Sequence, residues 1–103
     1  MVLVDFWHQR CYCCIILNPI IEETSSEYKG RVKFTKLDVI DNRENREIAI
    51  KYRIMATPTL VFFCIGRPIE SVTGFQSKEN LAKLIEEIIM KHRECIEKSI
   101  ILS

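Results

Sequence analysis

Nothing in this chain resembles a membrane segment, a charge-driven binder or a glycine-rich nucleotide loop. No stretch reaches the roughly 20 apolar residues that a spanning helix requires. The opening "MVLVDFW" has no basic flank, and Asp5 interrupts its apolar run, so it does not read as a secretory signal. Fifteen basic residues nearly balance 14 acidic ones. That leaves no electrostatic reason to expect nucleic acid or an anionic membrane as a partner. Glycine is scarce, at three residues, and no G-x-G-x-x-G appears, so no bound nicotinamide or flavin is expected. No repeat, linker or low-complexity segment is visible.

What the chain does have is cysteine: five in 103 residues, with Cys11, Cys13 and Cys14 close together in "WHQRCYCC". Without a visible export signal the expected compartment is the cytosol, where thiols stay reduced. Cysteine then points to chemistry or metal rather than to a disulfide scaffold, and an odd count cannot pair completely within one chain. The length suits one domain, 1–103.

The periodicities alternate between strand and helix. "VLVDFW" (2–7) reads as a buried strand. From about Cys14 to Tyr28 the spacing predicts a helix with Ile16, Ile20, Ile21 and Thr24 on one face. Pro19 inside it removes a backbone donor and should kink it. "RVKFTKLDV" (31–39) alternates as a strand covered on both faces, with Val32 and Phe34 on one parity and Leu37 and Val39 on the other. A polar turn, "DNREN" (41–45), leads to a short helix over 46–54 with Ile48, Ala49 and Tyr52 inward. "TPTLVFFCIG" (57–66) and "IESVTG" (69–74) read as an antiparallel hairpin turned at "GRP". Ser77 caps a last helix in which Leu81, Leu84, Ile85, Ile88, His92 and Cys95 recur at helical spacing to about residue 97. "SIILS" at the end is left unplaced. The order β-α-β-α-β-β-α implies an α/β fold, a mixed sheet with helices on both faces.

Four features in this order resemble the thioredoxin family along most of the chain. They are "VLVDFW" leading to Cys11-x-x-Cys14, Pro19 five residues later, "TPT" at 57–59, and Lys36 with Gly74 on the flanking elements. The resemblance implies a thioredoxin-like three-layer α/β/α fold with a four-stranded mixed sheet, lacking the family's usual first strand and helix. The strand near 32–38 would then be an exposed edge, which invites pairing, so a monomer or an edge-to-edge dimer is expected. The site departs from the family's Trp-Cys-Gly-Pro-Cys, reading Arg10-Cys11-Tyr12-Cys13-Cys14. The connection around "DNREN" is also slightly long.

The resemblance implies a thiol–disulfide oxidoreductase with no cofactor. Its partners would be disulfide-containing proteins and an electron donor like thioredoxin reductase. Cys11, at a helix N-terminus, would be the attacking thiolate and Cys14 the resolving thiol. Asp5, a carboxylate inside an apolar strand, would partner Lys36 and exchange a proton with Cys14. Thr57 and a cis Pro58 would present substrate backbone, with Trp7, Tyr12 and Gly74 around the groove. His8 and Arg10 lie near enough to favour a thiolate, though both suit a solvated loop. Cys13 would be a spectator or an alternative resolving thiol. Cys64 and Cys95 read as buried structural thiols, and His92 with Cys95 makes too sparse a metal pair. Two other classes stay open. One is a zinc or iron–sulfur protein using Cys11, Cys13 and Cys14. The other is a redox-inactive binding module.

Overall fold

The structure is a computed structural model and describes residues 1–102. The chain runs β1 (Val2–Trp7), α1 (Tyr12–Glu27), β2 (Lys33–Asp38), α2 (Arg43–Lys51), β3 (Thr59–Cys64), β4 (Arg67–Thr73), α3 (Lys78–Lys91) and α4 (Arg93–Leu102). One four-stranded sheet has the order β2-β1-β3-β4. β1 and β2 are parallel, joined through α1, while β3 pairs antiparallel with both β1 and β4. This is the α/β thioredoxin-like architecture expected, with β2 at one edge.

Alternation along β1 and β3 divides the core into two layers. Leu3, Leu60 and Phe62 face α1 and α3, where they meet Leu17, Ile21, Leu81, Ile85 and Ile88. Phe6 and Val61 face the other way, against Ala49 of α2 and the partly buried Tyr52. β2 splits as its parity requires, Phe34 packing with the first layer and Leu37 with the second. Asp5 has the same parity as Leu3, so its carboxylate is carried into the layer under α1.

Several boundaries differ from the sequence expectation. α1 begins at Tyr12 rather than Cys14, because Cys11 caps it. Its buried line is Cys14, Leu17, Ile21 and Thr24, whereas Ile16 is exposed. The face is therefore set one position on from Ile16. In α2 Ala49 is buried but Ile48 is exposed. The hairpin turns on Ile65 and Gly66, both at positive φ (51° and 72°), between the paired Cys64 and Arg67. Two-residue turns of that sign match the right-handed twist of the strands. β4 consequently starts at Arg67. The last helix is two. α3 ends at Lys91, His92 caps it, and α4 continues through residues 99–102 of the unplaced "SIILS", whose last residue lies outside the described residues. At that junction Glu70 of β4 accepts from Lys91 Nζ (3.0 Å) and meets His92 Nε2 (2.9 Å). Two polar ties link α1 to α3: Tyr28 Oη donates to Glu86 Oε2 at 2.7 Å, and Lys78 reaches both Glu23 and Glu27.

Candidate active site

The site forms where β1 ends and α1 begins. After Trp7 the chain turns through His8–Arg10, held by the Cys11 N–H donating to the His8 carbonyl (3.2 Å) and the Arg10 N–H donating to His8 Nδ1 (3.1 Å). His8 thus faces its own loop. Cys11 has extended backbone (φ −94°, ψ 110°) and is the N-cap of α1. The Cys14 N–H donates to Cys11 Sγ at 3.2 Å. A cap with a sulfur in place of the usual oxygen directs a backbone N–H and the positive end of the helix at one atom. That arrangement favours a thiolate over a thiol there.

Cys14 lies one turn in and is bonded to Cys11, with Cα atoms 5.2 Å apart. Their surroundings differ sharply. Cys11 is partly exposed and Cys14 is fully buried. Cys13 points outward and is a free thiol, and Tyr12 is 74% exposed.

β3 supplies the opposite wall. The Thr57–Pro58 peptide is cis, Pro58 is buried, and the Thr57 carbonyl oxygen lies 3.4 Å from Cys11 Sγ. Neighbouring backbone and hydroxyls hold this turn. Thr59 Oγ1 donates to the Ala56 carbonyl at 2.6 Å and shares a 3.2 Å bond with Thr73 Oγ1. The Gly74 N–H donates to the Pro58 carbonyl at 2.8 Å. Gly74 does so at φ +100°, which side-chain-bearing residues rarely adopt.

Asp5 is fully buried, and neither carboxylate oxygen has a hydrogen-bond partner among the described residues. Burial pushes its pKa up to about 6, against a smaller lowering by Lys36. The expected Asp5–Lys36 pair is only half present. The two residues are register partners on β1 and β2. The Lys36 ammonium, however, lies 4.1 Å from the centroid of the Trp7 ring. Lys36 is exposed and Asp5 is not, so a direct pair would draw the ammonium out of water. The face of an indole satisfies it near the surface instead.

Sequence reading overlooked Met55 and Phe75. Met55 is 92% exposed and Phe75 43% exposed, flanking the Thr57–Pro58 turn and Gly74. They adjoin those turns in sequence as Trp7 and Tyr12 adjoin the cysteine pair. Their only signal was an apolar residue next to each turn. The sequence also hid a second bond. Cys64 and Cys95, expected as buried structural thiols, are joined to each other with Cα atoms 6.4 Å apart, and only Cys64 is buried.

The geometry does not favour the metal reading. Two of its three thiols are bonded to each other. Among the described residues no three His, Cys, Asp or Glu side chains are grouped to hold an ion. No described helix is long and apolar enough to cross a membrane.

The thioredoxin family model matches residues 1–87. Thioredoxins of Staphylococcus aureus, those of strains MW2 and COL among them, are 44% identical over 85 residues, which is 82% of this chain and 79% of theirs. A bonded Cys-x-x-Cys pair capping a helix, a cis-proline turn against its outer sulfur and a buried carboxylate agree with those matches, and the chain belongs to the thioredoxin family of thiol–disulfide oxidoreductases.

Proposed function

We propose that this protein reduces disulfides in extended segments of other proteins, with Cys11 as nucleophile, Cys14 as resolving thiol and Asp5 as the group that handles its proton. The observation that carries the reading is the unequal pair itself: an accessible Cys11 with an N–H aimed at its sulfur, bonded to a fully buried Cys14.

The sequence of events follows from that asymmetry. In the reduced protein the Cys11 thiolate attacks a substrate sulfur. The substrate S–S bond breaks, a mixed disulfide forms, and the departing substrate sulfur takes a proton. The Asp5 carboxylate accepts the Cys14 proton. Cys14 then attacks Cys11 Sγ, the mixed disulfide breaks, and the second substrate sulfur leaves as a thiolate and takes a proton, which Asp5 releases in turn. Two electrons have passed to the substrate, and the Cys11–Cys14 bond has formed. With a pKa raised to about 6, Asp5 is a better base at neutral pH than an ordinary carboxylate. Lys36 keeps that value from rising further and, stacked on Trp7, braces the rim of the site.

The Thr57 backbone beside Cys11 suits pairing with an extended substrate strand. Trp7, Tyr12, Met55 and Phe75 offer it apolar contact. Gly74 acts at one remove, by holding the Pro58 carbonyl. Cys13, exposed and outside the bond, is a spectator to resolution. Thioredoxins are reduced in general by thioredoxin reductase, and we assign this chain a donor of that kind in the cytosol.

The test is a Cys14→Ser chain offered a disulfide-bonded protein. A covalent complex should accumulate through Cys11 and vanish on adding dithiothreitol. A complex through Cys13, or turnover that survives Cys11→Ser, would overturn the assignment.

A further inference from the structure

The Cys64–Cys95 bond lies at the far end of the sheet from the active site. β3 starts at Thr59, beside Pro58, and ends at Cys64, one residue past Phe63, which pairs with Val2 at the start of β1. Five strand residues separate the two ends by about 17 Å. The active-site sulfurs of the same chain therefore cannot exchange with this pair. Cys95 also falls beyond residue 87, where the match to the family model stops.

The bond joins elements that otherwise hold each other weakly. Cys64 is 2% exposed in the sheet, whereas no residue from Arg93 to Lys98 of α4 is buried. Only Cys95 and Ile96 are partly covered in that stretch. A ten-residue helix is marginal by itself, and Arg93–Lys98 adds too little apolar burial to compensate. The Glu70 contacts secure the junction at Lys91 and His92 but reach no further along α4. Within Arg93–Lys98 the fastening is chiefly covalent.

We propose that Cys64 and Cys95 form a second thiol–disulfide couple, separate from the active site, whose reduction by an external dithiol unfastens α4 from the sheet. The donor's thiolate attacks Cys95, the partly exposed member. The Cys64–Cys95 bond breaks, a mixed disulfide forms on Cys95, and Cys64 leaves and takes a proton. The donor's second thiol then displaces Cys95, so two electrons reach the pair and the donor is left as a disulfide. A reduced Cys11/Cys14 pair on a second copy of this chain has the required chemistry. For that donor the inference rests on the function proposed above, whereas opening of the bond by a small dithiol does not.

The experiment is a dithiothreitol titration of the oxidised full-length protein, read by alkylation with peptide mass mapping and by amide hydrogen exchange. Cys11 and Cys14 should open first, with exchange over residues 93–98 unchanged. Cys64 and Cys95 should open together at higher reductant. Exchange over 93–98 should then speed up by roughly thirtyfold or more, the lower end of what such cross-links contribute. Cys95→Ser should show the fast exchange at every reductant level, with the Cys11/Cys14 step unmoved. Alkylation of Cys64 and Cys95 before any reductant is added overturns the couple. Slow exchange at 93–98 after the bond has opened overturns the fastening. Either failure leaves the active-site reading standing, because the first step reports that separately.

Discussion

Replacing Asp5 by asparagine removes a charge that the fold holds at a cost. Burial without a hydrogen-bond partner raises the Asp5 pKa from 3.8 to about 6. The folded chain therefore holds this proton more tightly than the unfolded chain does. The resulting stabilisation is complete below pH 3.8 and is lost as pH rises through about 6. A rise of about 2.2 pH units, at about 1.4 kcal/mol each, amounts to roughly 3 kcal/mol. Asparagine has nearly the same shape and does not titrate. Its amide is also buried and unpaired, which adds an offset of about 1–3 kcal/mol that does not depend on pH. The informative quantity is therefore the stability difference between the two proteins as a function of pH. Denaturant unfolding of both oxidised proteins should be run from pH 4 to pH 8, with the change in that difference measured. The other titrating groups are common to both proteins and cancel to first order. Between pH 4 and pH 8 the difference should move by about 2.5 kcal/mol in favour of Asp5→Asn, about 0.5 kcal/mol of the whole being already lost at pH 4. A flat difference means that Asp5 ionises as easily folded as unfolded. Movement in favour of the native chain means that Asp5 has a paired charge, contrary to the geometry.

Four other substitutions bear on the same picture. Lys36→Met should raise the Asp5 pKa further, since Lys36 is the one group lowering it, and the shift is read by carboxyl NMR titration. It should also free the Trp7 ring, giving a changed indole fluorescence. Cys13→Ser should leave disulfide-reductase turnover within about twofold, whereas a resolving thiol would cost more than about tenfold. Glu86→Gln removes the charge that meets Tyr28 and Arg31, so stability should fall by about 1 kcal/mol at this half-exposed position. The Tyr28 pKa, pushed up to about 12 first by burial and then by Glu86, should fall towards 10.0 in an ultraviolet titration. Leu17→Ala, in the core that α1 shares with the sheet, should cost about 2–5 kcal/mol in denaturant unfolding.

Much of this fold was readable because its signals are local. The apolar run around Asp5, the Cys11-x-x-Cys14 spacing and the "TPT" turn each fix an element by themselves, and their order fixed the sheet. What escaped depends on tertiary contacts. The repeat Ile88, His92, Cys95 has no proline or glycine to end it, so the sequence reads as one helix. The break at His92 coincides with ties to Glu70 and Cys64, two strands away. The start of α1 was placed late because a cysteine is a rare cap, and its sulfur does here what an oxygen usually does. Asp5 and Lys36 were found, but not their geometry. Register made them neighbours, while the choice between a buried carboxylate and an exposed indole was settled by desolvation. Cys64 and Cys95 looked unrelated because nothing in a linear pattern shows which strand end a bent helix covers.

The division of labour between an exposed Cys11 and a buried Cys14 is the central claim, and single-turnover trapping tests it most directly. Reduced protein is mixed with a disulfide substrate, quenched in acid at successive times, and mapped for mixed disulfides. The expected result is one transient adduct, on Cys11, decaying as the Cys11–Cys14 bond appears, and persisting when Cys14 is serine. An adduct on Cys14 or Cys13, or decay at an unchanged rate without Cys14, would contradict it.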